Sequence, residues 1–375
     1  DGRWEEGLFP RQVSSQSDLQ QWQRFKELVN AWIDWRDEQG RAAFTLPLAD
    51  CSDSPEVLAL DRLTMAEWLE SQSLTSKPLQ WYVDYSCRDD FGLTIAQTSA
   101  WAGLFYFCAR RTTAADPAPE VLTWPEGNGK FVSWFRNRLT NQLRTNTAAA
   151  RIHQQADGGG ELTLIDCQSG ATSALNARKV ILATPQFLAP YLIHDCPEPR
   201  RATARKFSYG AWVVANIHLK GRPQHTGFPM SWDNVIYDSP SLGYVAATHQ
   251  AGDDYGPTVL SWYLPLCDEL PAESRQQLLN FDWKHWSTLI TNDLSRVHPD
   301  LISLVTQMDV FRWGHAMIRP VPGFHSMAER RAAARPEGDV HFAGTDLSGV
   351  ALFEEAYWHG RRAADEVIAA LNTGK

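Results

Sequence analysis

Val340-His341-Phe342-Ala343-Gly344-Thr345-Asp346-Leu347-Ser348-Gly349-Val350-Ala351-Leu352-Phe353-Glu354-Glu355-Ala356 is the stretch on which the fold turns. It reads as a buried strand over 339–343, a glycine-bounded loop, and a helix over 353–371. Gly344 removes Cβ bulk, Asp346 can accept from a hydroxyl, and free amides at 350–353 point toward incoming negative charge at a helix N-terminus. Such a unit lets backbone approach an anionic or polarised planar ligand, or it is an ordinary strand-turn-helix closing a domain. Spacing alone leaves both open.

Upstream, Lys179-Val180-Ile181-Leu182-Ala183 is a second continuous apolar run, expected as a strand covered on both faces and ended by Thr184-Pro185. Short strands over 149–153, 161–167 and 172–177 precede it. Before them, Trp124-Pro125-Glu126-Gly127-Asn128-Gly129 opens an amphipathic helix carrying Phe131, Trp134, Phe135 and Leu139, after an Ala/Pro-rich loop at 114–119. Between the two apolar runs, segments 211–219, 242–249 and 258–266 suggest a mostly antiparallel sheet. A long helix over 273–297, a strand over 310–317 and a rigid Arg319-Pro320-Val321-Pro322-Gly323 turn follow. The first 110 or so residues read as a helical layer. Residues 18–35 are amphipathic, Thr64-Met65-Ala66-Glu67 has capping-box spacing, and 99–110 is almost wholly apolar.

The 375 residues carry 35 Lys plus Arg against 44 Asp plus Glu, a net charge of −9 that gives no electrostatic case for binding nucleic acid. No apolar run approaches the roughly 18–20 residues of a spanning helix. Six scattered cysteines form no CxxC and no Cys/His cluster, so a zinc site is not expected. HExxH, Walker and GxSxG motifs are missing, which removes metalloprotease, nucleotidase and α/β-hydrolase readings. Asp1-Gly2-Arg3-Trp4-Glu5-Glu6 is no secretory signal and lacks an initiator Met; the chain is expected to begin partway into a longer protein. The compartment, cytoplasmic or exported, is not legible.

Three ordered places resemble the flavin-containing amine oxidoreductases, the superfamily of monoamine and polyamine oxidases, protoporphyrinogen oxidase and phytoene desaturases. Phe342-Ala343-Gly344-Thr345-Asp346 resembles the amine-oxidase version of its C-terminal FAD-binding segment, and Gly349-Val350-Ala351-Leu352 resembles that of protoporphyrinogen oxidase. Thr123-Trp124-Pro125-Glu126-Gly127-Asn128-Gly129 is similar to the entry into the helix before the second cofactor strand, and Lys179 to Pro185 to the strand that runs back to the cofactor. The resemblance covers nearly the whole chain and implies an α/β fold: an FAD-binding Rossmann-like domain, incomplete here, plus an α+β substrate domain with an antiparallel sheet. The expected division is 1–120 (helical layer of the substrate domain), 121–200 (FAD-binding part), 201–335 (substrate sheet and long helix) and 336–375 (closing FAD-binding strand and helix).

Carried across, the resemblance implies FAD held by Gly344, Thr345, Asp346, Val350, Ala351, Leu352 and Phe353. Asp346 would hold the ribityl or diphosphate region, and amides at 351–353 would meet the flavin pyrimidine edge. Two departures stand out. The sequence contains no GxGxxG, so the expected partner is an N-terminal fragment, or a separate chain, that carries it. The strand that bears a lysine in many amine oxidases offers Trp212, Val214 and Asn216 instead, and Leu352 stands where an aromatic would complete the amine cage.

His315 is then the first candidate for acid/base or substrate-orienting work, or else a hydrogen-bonded histidine on a buried strand. Trp313 would wall the pocket, or belong to the core like most of sixteen tryptophans. Arg88-Asp89-Asp90 reads as an arginine pairing with an acid to pin a loop. The leading function is an FAD-dependent oxidoreductase that removes a hydride from a C–N or C–C bond of a small substrate. The alternatives are a desaturase-like enzyme for a larger apolar substrate, marked by a long apolar tunnel, and a flavin-free scaffold. A narrow aromatic pocket with acidic groups would favour an amine.

Overall fold

The computed structural model describes residues 2–116 and 122–372. The expected boundary at 120/121 and the end of the 114–119 loop lie outside the described residues.

The N-terminal layer is helical because its apolar residues recur at helical spacing and its starts are capped. Helix α1 (Gln16–Asp34) starts at Ser15 with a capping box to Asp18 and buries Phe25, Val29 and Ile33. Helix α2 (Met65–Ser71) has the box read from the sequence. Thr64 Oγ1 accepts from Glu67 N–H at 3.1 Å, and Glu67 Oε2 accepts from Thr64 N–H at 2.7 Å. Helix α3 (Lys77–Phe91) starts at Ser76 and ends on Gly92, whose φ of +63° suits glycine. Helix α4 (Ala100–Cys108) is almost wholly buried. The Arg88-Asp89-Asp90 expectation is corrected here: these residues form the last turn of α3, and Arg88 donates to the Pro240 carbonyl rather than to an acid.

Helix α5 (Gly129–Arg138) buries no residue and leaves Val132 and Trp134 exposed. Strands β1 (Thr147–Gln154), β2 (Gly160–Asp166) and β3 (Thr172–Ala177) form an antiparallel meander. Strand β4 (Val180–Leu182) pairs in parallel with β10 (Val340–Phe342), Val180 facing Val340 and Leu182 facing Phe342. Strand β10 is buried as expected, whereas the double coverage expected of β4 fails at Ile181, which is 39% exposed.

The substrate-side sheet is antiparallel, in the order β6-β7-β8-β5-β9, from β5 (Tyr209–Leu219), β6 (Asp233–Asn234), β7 (Tyr244–Ala246), β8 (Thr258–Pro265) and β9 (Val305–Ile318). The strand period of two splits β5. Ala211, Val213, Ala215 and Ile217 pack on Leu278 of α6 (Pro271–Asn280) and on Trp286, Ile290 and Leu294 of α7 (Trp283–Ser295). Trp212, Val214 and Asn216 take the opposite face. The single long helix expected over 273–297 is two helices. The break falls at Phe281-Asp282, where the Asp282 carboxylate accepts from His285 N–H at 2.9 Å and starts α7 afresh. The chain closes with α8 (Phe353–Asn372).

Candidate active site

Strands β4 and β10 run parallel, and their C-terminal ends deliver two turns to one place, where parallel sheets commonly bind ligands. Gly344 has φ +142°, and a Cβ there would lie 2.9 Å from Asp346 Oδ1. Asp346 is 4% exposed, and its Oδ2 accepts from Gln186 N–H and from the Tyr209 hydroxyl, both at 2.6 Å. Burial pushes its carboxyl up, and these donors oppose the shift. The structure thus places Asp346 where it binds the Gly344 turn to the Gln186 turn. The Thr345 carbonyl accepts from Ser348 N–H at 3.0 Å and Gly349 N–H at 3.1 Å, tightening the loop.

Beyond Gly349, the amides of Val350 to Phe353 find no hydrogen-bond acceptor among the described residues; Ala356 N–H is the first to close, on the Leu352 carbonyl at 3.1 Å. Val350 is buried against the helical layer, Leu352 packs beside it, and Phe353 stacks on Phe131 at 4.4 Å. Next to the Gly344 turn, Thr184 Oγ1 and Gln186 Nε2 are buried without a partner. Orphaned buried polar atoms are rare enough to need a cause. Here they sit at strand ends beside a glycine turn and a row of free amides, a donor set that fits the hydroxyls and anionic edge of a flavin nucleotide.

The two candidates for chemistry on β9 stand apart from this loop. His315 stacks on Phe187 at 4.3 Å and lies edge-on to Tyr209 at 6.0 Å; burial and Arg275 lower its pKa. Tyr209, whose hydroxyl reaches Asp346, is the link between them. Trp313 faces Trp212 across the β5–β9 ladder and is 54% exposed.

Sequence reasoning missed the acidic end of α3. A cleft of about 900 Å³ opens between α3, β6 and the N-terminal segment, lined by Trp81, Tyr85, Tyr106 and Tyr237 together with Asp89 and Asp233. Trp81 packs on Tyr237 at 4.4 Å and Tyr85 at 6.0 Å. Solvent reaches both carboxylates from inside the cleft, yet protein surrounds them on most sides. Burial first, then Asp233 and Asp90, pushes Asp89 up to about 7; burial pushes Asp233 up to about 6. Asp90, turned toward the Arg110–Glu354 pair, is raised to about 6, again mainly by burial. Among the described residues no hydrogen bond or ion pair reaches the Asp89 carboxylate, and Asp233 has only the backbone N–H of Asn234. The available signal was Tyr85 and Asp89 at i, i+4, which puts ring and carboxylate on one helix face.

No relative is found among curated protein sequences. Solved structures are similar. Putrescine oxidase bound to putrescine aligns with TM-score 0.68 at 14% identity, over 95% of this chain and 77% of that one. Cyclohexylamine oxidase from Brevibacterium oxydans aligns with TM-score 0.60 at 17%, over 97% and 77%. A CLA-producing fatty acid isomerase from P. acnes aligns with TM-score 0.59 at 13%, over 96% and 76%. The family of flavin containing amine oxidoreductases matches residues 5–368. The chain belongs to that family: it is an FAD-dependent oxidoreductase of the amine-oxidase type, and the expected mixed α/β fold with antiparallel sheets is the one observed. No helix among the described residues is long and apolar enough to cross a membrane.

Proposed function

We propose that this flavin-containing amine oxidoreductase oxidises a small organic amine whose charged nitrogen enters the Asp89–Asp233 cleft. One observation carries the reading: Asp89 and Asp233 stand in an aromatic-walled cleft and form no ion pair among the described residues, although the cleft wall also carries Arg3, Arg11 and Arg296, of which Arg3 pairs with Glu5 and Arg296 with Asp293. An apolar chain would leave both carboxylates desolvated and unpaired, a costly arrangement. A cation attracted by both charges and by the faces of Trp81, Tyr85 and Tyr106 relieves it.

FAD, when bound, supplies the hydride-accepting chemistry. Gly344, Thr345, Val350, Ala351, Leu352 and Phe353 would hold it through backbone amides and close approach, with Asp346 fixing the loop from behind. Asp89 and Asp233 orient the substrate by its charge, and the rings around them exclude water. A bound ammonium pulls Asp89 below its raised value, so the carboxylate gives up its proton as the cation arrives. His315 and Trp313 are proposed as outlying members, His315 acting through Tyr209 on the loop. The domain division of 1–120, 121–200, 201–335 and 336–375 is kept as part of the proposal.

We also infer that the strand–GxGxxG–helix unit is supplied by polypeptide other than these residues, either joined to them or as a separate chain. The motif is missing from the sequence, and the exposed Ile181 of β4 and apolar side chains of α5 offer it a seat. An intact mass of the purified flavoprotein, with N-terminal sequencing of every component, tests this; a yellow protein containing only these residues would refute it.

The test of function is anaerobic bleaching of the flavin by a panel of primary amines and diamines against matched alcohols and fatty acids. Amines should bleach it, and Asp89→Asn should raise their KM about 100-fold, the worth of one charge-assisted contact of roughly 2–3 kcal/mol. Bleaching by fatty acids and not by amines would overturn the proposal.

A further inference from the structure

Helix α8 buries a carboxylate in its first turn. Glu355 is 0% exposed, and each of its oxygens is taken. Oε1 accepts from Leu48 N–H at 2.8 Å, a residue of the helical layer 307 positions away. Oε2 is bonded to Ser348 Oγ, in the middle of the 344–353 loop. One turn on, His359 Nε2 lies 3.0 Å from the same Ser348 Oγ, and Arg362 Nε donates to His359 Nδ1 at 3.3 Å.

The polarity of this chain is forced. Arginine can only donate, so His359 Nδ1 must accept. Burial, with Arg362 and Arg330 nearby, holds His359 down to about 3, so the ring is neutral and its one proton lies on Nε2. That N–H points at Ser348 Oγ, which must therefore turn its own hydrogen to Glu355 Oε2. Glu355 ends the chain as acceptor of two donors. Arg330 locks the other side of the loop, donating to the Leu347 carbonyl at 2.8 Å and the Ser348 carbonyl at 3.2 Å. Ser348 is thus held on three sides, and Gly349 turns directly after it with φ +89°. The free amides of Val350 to Phe353 take their direction from that turn.

We propose that Glu355 is a positioning residue for the cofactor: it clamps Ser348 to Leu48 and so sets the angle at which the 350–353 amides meet the flavin. The inference rests on the flavin reading above. Glutamine at this position has the same shape and cannot complete the chain. With its amide nitrogen toward Ser348, the serine hydrogen has no acceptor; turned the other way, N–H meets N–H at Leu48.

The experiment compares the full-length holoprotein with Glu355→Gln, Ser348→Ala and Asp293→Asn. Asp293 is a buried carboxylate too, accepting from Ser239 Oγ at 2.7 Å, Ser241 Oγ at 2.6 Å and Trp262 Nε1 at 2.9 Å, far from the loop in sequence and network. The readouts are the FAD dissociation constant of the stripped protein, the flavin visible spectrum and its midpoint potential. E355Q should weaken FAD binding about tenfold or more and shift both spectrum and potential. S348A should do the same more weakly, and it carries the test if E355Q does not fold. D293N should lower thermal stability while leaving all three readouts unchanged. Unchanged readouts in E355Q and S348A, or shifts in D293N that match them, would overturn the inference. A wild-type protein that binds no FAD would instead overturn the flavin assignment on which it rests.

Discussion

Two carboxylates of one chain, Glu355 sealed in the interior and Asp89 on the wall of an open cleft, are treated in opposite ways. Glu355 has a donor on each oxygen and tolerates full burial because hydrogen bonds replace the water it lost. Asp89 has none, faces a second carboxylate across a cleft, and is held up to about 7 by burial and like charge. A satisfied buried acid is architecture. A solvent-facing one raised by a like-charged neighbour is, on the proposed reading, open to a cationic partner from outside. Aromatic rings line the cleft and backbone amides line the loop, and on the proposed reading the two regions take opposite charges: a cation at α3 and an anionic nucleotide at α8.

The sharpest way to break this contrast is Asp89→Asn with Asp233→Asn. Removing both cleft charges should cut kcat/KM for an amine about a thousandfold, from roughly 4 kcal/mol of lost charge-assisted contact. The thermal midpoint should stay level or rise, because two carboxylates that repel each other are gone. A double variant that loses stability and keeps amine turnover would put the carboxylates in the same class as Glu355. Next in size comes Gly349→Ala. A Cβ there lies 2.8 Å from Phe324 Cε1 at a φ that L residues avoid, so about 2–4 kcal/mol of stability should go. Thermal denaturation measures the loss, and the flavin should be shed at a lower temperature than the protein unfolds.

The loop was largely legible in the sequence because its devices are local. Gly344, Gly349 and the helix start at Phe353 announce themselves by residue type and spacing, as does the Thr64 capping box. The roles of Asp346 and Glu355 were not legible. Both depend on partners far along the chain, Tyr209 for one and Leu48 for the other, and no periodicity encodes a contact across 307 residues. The cleft was missed for a related reason. Arg88-Asp89-Asp90 reads as an arginine pairing with an acid to pin a loop, but α3 carries it to the cleft beside β6, where the arginine is drawn away to the Pro240 carbonyl and leaves Asp89 without a protein donor. The 273–297 segment misled in the other direction: its apolar period continues across Phe281-Asp282, and only the Asp282 cap shows that one helix has ended and another begun.

The pH dependence separates the two carboxylates without a mutation. An unfolded aspartate titrates near 4. In the fold Asp89 titrates at about 7, so between those values the native state holds more protons than the unfolded one. Stability contributed by that protonated form is present at low pH and lost as pH rises from about 4 to about 7, the reverse of an acid held by salt bridges. The substrate responds with the opposite sign, since a cation needs the ionised carboxylate: kcat/KM for an amine should climb between pH 6 and 8. Asp89→Asn should flatten both curves, whereas Ser348→Ala should leave both slopes in place. A rise in kcat/KM that survives Asp89→Asn would move the titrating group elsewhere, with Asp233, raised to about 6, the next to replace.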